Sequence, residues 1–151
     1  MNILIFTVND KFFGLDIGQV REVIRMRKIT QVPDAGESIE GVINLRRKVV
    51  TIINLQKKLG LSDINKSRSN RIIILSAKNC AIGVIVESVD EVVKIDPESI
   101  STPDEYLKKS KHLVGVARAK NNLIPILDVL HLLSDDEKVD IEKVHEKIEI
   151  Q

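Results

Sequence analysis

Apolar and polar positions divide the chain into ten short, apolar-rich segments separated by turn residues. β-Branched residues dominate the segments, and short β-branched runs between turn signals are typical of strands. Two brief helices follow, Leu55–Leu59 and Asp128–Leu133, each led by a residue suited to capping its first turn. The strands that the pattern predicts are Ile3–Val8, Phe12–Asp16, Glu22–Met26, Ile39–Leu45, Lys48–Asn54, Arg71–Ala77, Cys80–Val86, Asp90–Ile95, Leu113–Ala117 and Leu123–Leu127.

The order of these segments repeats along the chain. Residues 2–26 align without a gap on residues 71–95, at an offset of 69, with six of 25 pairs identical. Residues 41–59 align on residues 115–133 at an offset of 74. Two interpretations stand open: a structural duplication, or unrelated hairpins with ordinary turn chemistry in common.

Five strands and tight hairpins in each copy predict a small closed barrel, because closure removes exposed strand edges. The prediction is therefore a mostly β domain over residues 1–133, made of two five-stranded barrels with a few short helices. Its lobes span about 1–66 and 67–133, with the polar segment Ser62–Asn70 near the boundary. Whether the lobes exchange elements is left open.

The segment 134–151 differs from the rest because charged residues dominate it. Ile141, Val144 and Ile148 fall at helical spacing, which predicts a C-terminal helix packed on the body. A frayed, solvated tail is the alternative interpretation.

Composition narrows the classes of function. The chain has 151 residues, of which 43% are hydrophobic and 3% aromatic, and a formal net charge of +1. Nucleic-acid binders usually carry a cationic excess, and single-strand binders stack bases on exposed rings, so no nucleic-acid partner is expected. No apolar run approaches the roughly 18 residues that a membrane span needs. The expectation is a cytoplasmic protein without direct membrane insertion.

Signatures of catalysis are missing from the sequence. Cys80 is the sole cysteine, which excludes an intrachain disulfide and a cysteine-built metal site. His112, His131 and His145 have no second ligand at a recognised metal-binding spacing, and the glycines form no phosphate-binding loop. We therefore predict no catalytic residues, no metal and no cofactor.

The most distinctive stretch is Glu40–Leu61, which reads EGVINLRRKVVTIINLQKKLGL. It predicts two hydrophobic strands around a cationic hairpin turn, followed by a capped helix. Its Asn44-Leu45-Arg46 resembles the signature of the CheW family. The opening FTVNDKFFGLDIGQVREVIR and the proline before the signature follow the family's order, so the resemblance covers residues 2 to about 133.

The resemblance implies two five-stranded barrels and a non-enzymatic adaptor that couples chemoreceptors to the histidine kinase CheA. The implied partners are the regulatory domain of CheA and the cytoplasmic tip of the receptors. Two alternatives stay open: a scaffold of a non-chemotaxis signalling array, and a ligand-binding or catalytic small β-barrel.

For the receptor, the resemblance implies a binding face around an ion pair between Glu22 and Arg46. Arg47 stands where the family usually has glycine, and its repeat counterpart Asn121 is a residue type that tolerates the left-handed region. If position 47 has positive φ, an arginine there is strained by roughly 1 kcal/mol. The receptor-binding set is Glu22, Val42, Asn44, Arg46 and Arg47.

For the kinase, the resemblance implies contact through an apolar patch on the outer wall of a barrel. Pairing of two related barrels would bury such a patch between strands of both partners. The predicted set is Leu4, Ile17 and Val20. The alternative is that all three residues belong to the core.

Overall fold

The computed structural model describes residues 1–77, 80–101 and 113–132. Within these ranges the α-helices are α1 (Leu55–Lys58) and α2 (Val129–Leu132), with 3₁₀ turns at Ile17–Gln19 and Pro97–Ser99. The tail for which the sequence predicts a helix lies outside the described residues. The strands are β1 (Asn2–Val8), β2 (Lys11–Asp16), β3 (Val20–Arg25), β4 (Ile39–Leu45), β5 (Lys48–Ile53), β6 (Arg71–Ala77), β7 (Cys80–Val86), β8 (Ser88–Lys94), β9 (Leu113–Ala119) and β10 (Asn122–Leu127).

All ten predicted strands are confirmed, and their ends agree with the prediction to within two residues. Strand β3 begins at Val20, earlier than predicted, because Val20 already pairs with Leu75 of β6. Strand β9 continues to Ala119 because its hairpin ladder reaches the Ala119–Asn122 pair, leaving only two residues in the turn. The pattern of apolar residues thus located the strands, and pairing set their ends.

The strands form two mixed five-stranded sheets. The first sheet has the order β8-β1-β2-β10-β9, and the second has the order β3-β6-β7-β5-β4. Neighbours are antiparallel except for the parallel pairs β2–β10 and β5–β7. Each sheet takes strands from both halves of the chain. Replacing every strand by its aligned counterpart converts one order into the other, which favours duplication over chance similarity.

A backbone bridge joins the two ends of each sheet. After β3 the chain turns back so that Thr30 and Val42 of β4 exchange two hydrogen bonds of 2.8 Å. After β8 the chain does the same, and Ser101 and Val116 of β9 exchange two hydrogen bonds of 3.0 Å. The closed arrangement that the sequence predicts is therefore present in both sheets.

The largest apolar cluster lies between the sheets. We call it the inter-sheet cluster, and each copy of the repeat contributes equivalent positions to it. Its equivalent pairs include Leu4 and Ile73, Phe6 and Leu75, Leu15 and Val84, and Ile53 and Leu127. Each such side chain contributes roughly 1.5–3 kcal/mol by its burial, so the cluster holds the sheets together.

Each sheet also encloses an interior of its own. The second sheet packs Leu45, Val50, Ile52 and Ile74 around its axis. The first sheet packs the aligned residues Ile124, Ile126 and Ile5 with Ile3 and Ala117. Both interiors open toward a two-residue hairpin turn, and this position brings the turn of the second sheet to the candidate site.

Candidate functional site

The cationic hairpin β4–β5 turns through two residues with positive φ, Arg46 at 50° and Arg47 at 69°. A two-residue turn with both φ values positive matches the twist of its strands, and it usually holds asparagine, aspartate or glycine. The expectation of positive φ at position 47 is confirmed. The same turn recurs at Asn9-Asp10 and Lys120-Asn121.

Replacing Arg47 with glycine is expected to stabilise the protein. Glycine removes the left-handed strain of an arginine, although it also raises the entropy of the unfolded chain. We expect the unfolding free energy to rise by roughly 0.5–1 kcal/mol in urea titrations. The matched control is Asn121→Gly, where the gain should be smaller because asparagine tolerates this region. A loss of stability in Arg47→Gly would contradict the strain argument.

The ion pair implied by the resemblance is present at this turn. A guanidinium nitrogen of Arg46 donates to a carboxylate oxygen of Glu22 on β3. The Arg46 side chain is 71% exposed and that of Glu22 is 30% exposed. Water screens such a pair, so it adds only about 0–1 kcal/mol to stability. Its effect is to hold the Arg46 side chain against β3 instead of leaving it free.

Asn44 organises the base of the turn. Its side-chain oxygen accepts a hydrogen bond from the backbone N–H of Arg47 at 3.0 Å. Its carbonyl accepts one from Arg27 at 3.1 Å, and this bond brings a third arginine to the hairpin. All four side chains, those of Arg27, Asn44, Arg46 and Arg47, are exposed.

Val42 does not offer the surface that the sequence suggested. Its side chain is 8% exposed and packs with Ala35. Val42 and Asn44 share one face of β4, but the segment after β3 crosses that face at Thr30 and covers Val42. The expectation that Val42 flanks an open groove is therefore wrong.

The predicted kinase-binding residues differ in burial. Leu4 is 4% exposed and belongs to the inter-sheet cluster, so its expected exposure is wrong and the core alternative holds for it. Ile17 and Val20 are half-buried and pack against the same cluster. Strand alternation turns Leu4 toward the other sheet, while Ile17 and Val20 lie where the chain passes from β2 to β3.

A second ion-pair site, on the first sheet, escaped the sequence analysis. Lys120 at the β9–β10 turn contacts Asp90 at 2.6 Å and Glu91 at 2.8 Å. The repeat offsets relate Lys120 to Arg46 and Glu91 to Glu22, and they are the signal that would have found it. Hydrogen bonds from Asp90, then Glu91, raise the pKa of Lys120 above its ordinary 10.5. The ammonium contributes fully below pH 10.5, and its contribution fades only as pH rises through the elevated pKa.

A concavity of about 360 Å³ lies beside the Arg46–Glu22 pair, at one opening of the second sheet. Its floor is apolar and its rim is charged. The floor consists of Leu45, Val50, Ile74 and Ala81, and the rim of Arg21, Glu22, Arg46 and Lys48.

Features that would indicate catalysis or membrane insertion do not appear in the described parts of the chain. Residues 1–77, 80–101 and 113–132 contain no cluster of three or more potential metal ligands. Nor do they contain a helix with the length and apolar character to cross a bilayer. His131, exposed as expected, has its Nδ1 atom 2.6 Å from Asp128, the residue that caps α2.

Comparison with known proteins identifies the family. Residues 2–137 match the CheW-like domain. The chain is 29% identical to the chemotaxis protein CheW of Bacillus subtilis over 135 residues, which cover 88% of this chain and 86% of that protein. It is 25% identical to the CheW of Treponema pallidum, covering 87% and 81% of the two chains.

A solved structure agrees with the sequence relatives. The crystal structure of the scaffolding protein TtCheW from Thermoanaerobacter tengcongensis superposes with a TM-score of 0.81 and 34% identity, covering 90% of this chain and 89% of that chain. The fold expected from the resemblance is thereby confirmed. The chain belongs to the CheW family, whose members are non-catalytic scaffold proteins of chemotaxis.

Proposed function

We propose that this adaptor links the cytoplasmic tip of chemoreceptors to the regulatory domain of a CheA-type histidine kinase, in the cytoplasm. The observation that carries the proposal is the exposed Arg46–Glu22 pair at the cationic hairpin. It lies in the segment with the family signature, and it fixes a cation on a rigid turn where a partner helix has access to it.

On the receptor side, the hairpin presents a cationic face. Arg27, Arg46 and Arg47 are exposed around Asn44, and the single carboxylate in contact with them is that of Glu22 among the printed ion pairs of this part of the structure. Arginine is well suited to interfaces because its planar guanidinium forms several directed hydrogen bonds at once. The receptor surface that binds here carries carboxylates or carbonyl oxygens.

On the kinase side, Ile17 and Val20 supply half-buried apolar surface at the start of β3, supported by Leu4 beneath them. The kinase regulatory domain is expected to cover this surface with apolar side chains of its own. Burying a few such side chains at the centre of an interface is enough to dominate its affinity.

Replacing Val20 with aspartate is expected to weaken kinase binding by about tenfold or more, because a desolvated carboxylate opposes burial at an interface. The matched control is Val89→Asp, at the aligned position on β8, where Val89 also packs against the inter-sheet cluster. Both variants should lose a similar amount of thermal stability. Binding is measured by calorimetry well below the lower melting temperature.

If both variants bind the kinase domain equally well, the patch is structural and the kinase contacts another surface. If Val20→Asp unfolds completely while Val89→Asp stays folded, Val20 belongs to the core, which also contradicts the assignment.

The adaptor role itself is tested by co-sedimentation with a CheA-type kinase and with membranes that carry chemoreceptors from the same organism. We expect the chain to sediment with receptor membranes, and the kinase to follow only when the chain is present. Sedimentation with receptors but without any kinase recruitment would reject the coupling role and favour a scaffold of another array.

A further inference from the structure

The opening of the second sheet beside Arg46 differs from the equivalent opening of the first sheet. In the second sheet the concavity of about 360 Å³ reaches interior side chains, among them Val50 and Ile74. In the first sheet the concavity at the corresponding turn is lined, among the described residues, by the hairpin segment 118–123 and by no interior side chain. The second sheet is therefore the more open of the two.

One aligned pair of residues accounts for this difference. Ala81 borders the opening of the second sheet, and its counterpart in the first sheet is Phe12. The ring of Phe12 packs against the interior cluster of the first sheet, whereas Ala81 presents only a methyl group. The phenyl ring fills one opening with the protein's own side chain, and the alanine leaves the same space available in the other.

The charges around the two openings differ in sign as well. Three cations and one carboxylate surround the opening of the second sheet, namely Arg21, Arg46, Lys48 and Glu22. The aligned positions of the first sheet hold two carboxylates, one cation and one amide, namely Asp90, Glu91, Lys120 and Asn122. An apolar floor with a cationic rim is complementary to an apolar side chain that is flanked by carboxylates.

We propose that the opening of the second sheet is a socket for one apolar side chain of an acidic helix at the receptor tip. The socket rests on the proposed receptor binding and adds to it the point where the helix is anchored. The apolar side chain contacts Val50, Ile74 and Ala81, and carboxylates one helical turn away meet Arg46 and Lys48. A buried apolar anchor with a charged surround is the usual composition of an interaction hot spot.

Ala81→Phe tests the socket, because the first sheet already accommodates a phenylalanine at the aligned position. The probe is a purified cytoplasmic hairpin fragment of a chemoreceptor from the same organism, titrated by calorimetry. We expect about tenfold or greater loss of affinity in Ala81→Phe, with an unchanged or higher melting temperature. The matched control Leu123→Phe enlarges an exposed residue on the other hairpin, and it should bind as the unmodified protein does.

Three results overturn the socket. Normal affinity of a folded Ala81→Phe, together with loss of affinity in Arg46→Glu, removes the socket and leaves receptor binding intact. No binding by the unmodified protein removes the proposed receptor function and the socket with it. If Ala81→Phe does not fold, methyl NMR of the unmodified protein decides, and absence of shifts at Ala81, Val50 and Ile74 at receptor saturation rejects the socket.

Discussion

Gly41→Ala is expected to lower the free energy of unfolding by about 3 kcal/mol or more, the largest loss among the single substitutions considered. Gly41 has a φ of +152°, which side chains rarely adopt, and an added Cβ would lie 2.4 Å from the carbonyl oxygen of Thr30 and 2.7 Å from a methyl carbon of Ile29. The bridge between Thr30 and Val42 closes the second sheet, so the added methyl would push this bridge apart. Urea titration followed by far-ultraviolet circular dichroism measures the loss.

The control for this substitution is Gly60→Ala. Gly60 also has positive φ, at +68°, but an added Cβ there meets no atom within 4 Å. It should cost only about 1–2 kcal/mol of backbone strain. Equal losses in the two variants would mean that positive φ alone explains the effect at Gly41, and that the segment after β3 yields readily.

The sequence predicted the strands because β-branched runs and turn residues act locally. The apolar run of β4 and the turn at Arg46-Arg47 depend on short-range propensity, and the structure retains both. The order of the strands is also visible in the repeat, since aligned segments take equivalent places in the two sheets.

Exposure was harder to predict, because it depends on which distant segment covers a residue. Val42 and Asn44 alternate on one face of β4, and the sequence treats them alike. The crossing at Thr30 buries Val42 and leaves Asn44 in water. Leu4 was misjudged for a related reason, since only the packing of the two sheets shows that its strand face is internal.

The paired charges could be predicted only in part. The Arg46–Glu22 pair follows from a resemblance to known proteins, because the two residues lie on different strands and no spacing rule joins them. The Lys120–Glu91 pair follows from the first pair through the repeat offsets. The difference between Ala81 and Phe12 is plain in the sequence, but its effect on an opening appears only after the sheets close.

Duplication followed by divergence explains why one hairpin and not the other suits a receptor. Both hairpins keep the same turn and a cation that pairs with a carboxylate on the neighbouring strand. The second sheet then surrounds its pair with further cations, while in the first sheet Lys120 is shared by two carboxylates. A cation engaged by two carboxylates has little attraction left for an acidic partner.

Arg46→Glu is therefore expected to lower the affinity for the receptor fragment by about a hundredfold, that is, by about 2.7 kcal/mol. The substitution places a second carboxylate beside Glu22, and it repels an acidic helix where the arginine attracted one. Because the side chain is 71% exposed, stability should change by no more than about 1 kcal/mol. Fluorescence anisotropy of the labelled fragment measures the affinity, and thermal unfolding of the variant checks its fold.

The duplicated hairpin supplies the control that makes this result specific. Lys120→Glu reverses the aligned cation, in the same kind of turn and beside an equivalent carboxylate. Any general consequence of charge reversal at a hairpin tip would affect both variants, whereas a receptor site at the second sheet affects only Arg46→Glu. An equal loss of affinity in both would assign binding to the overall charge of the protein. No loss in either would show that the exposed arginine is a surface pair without a partner.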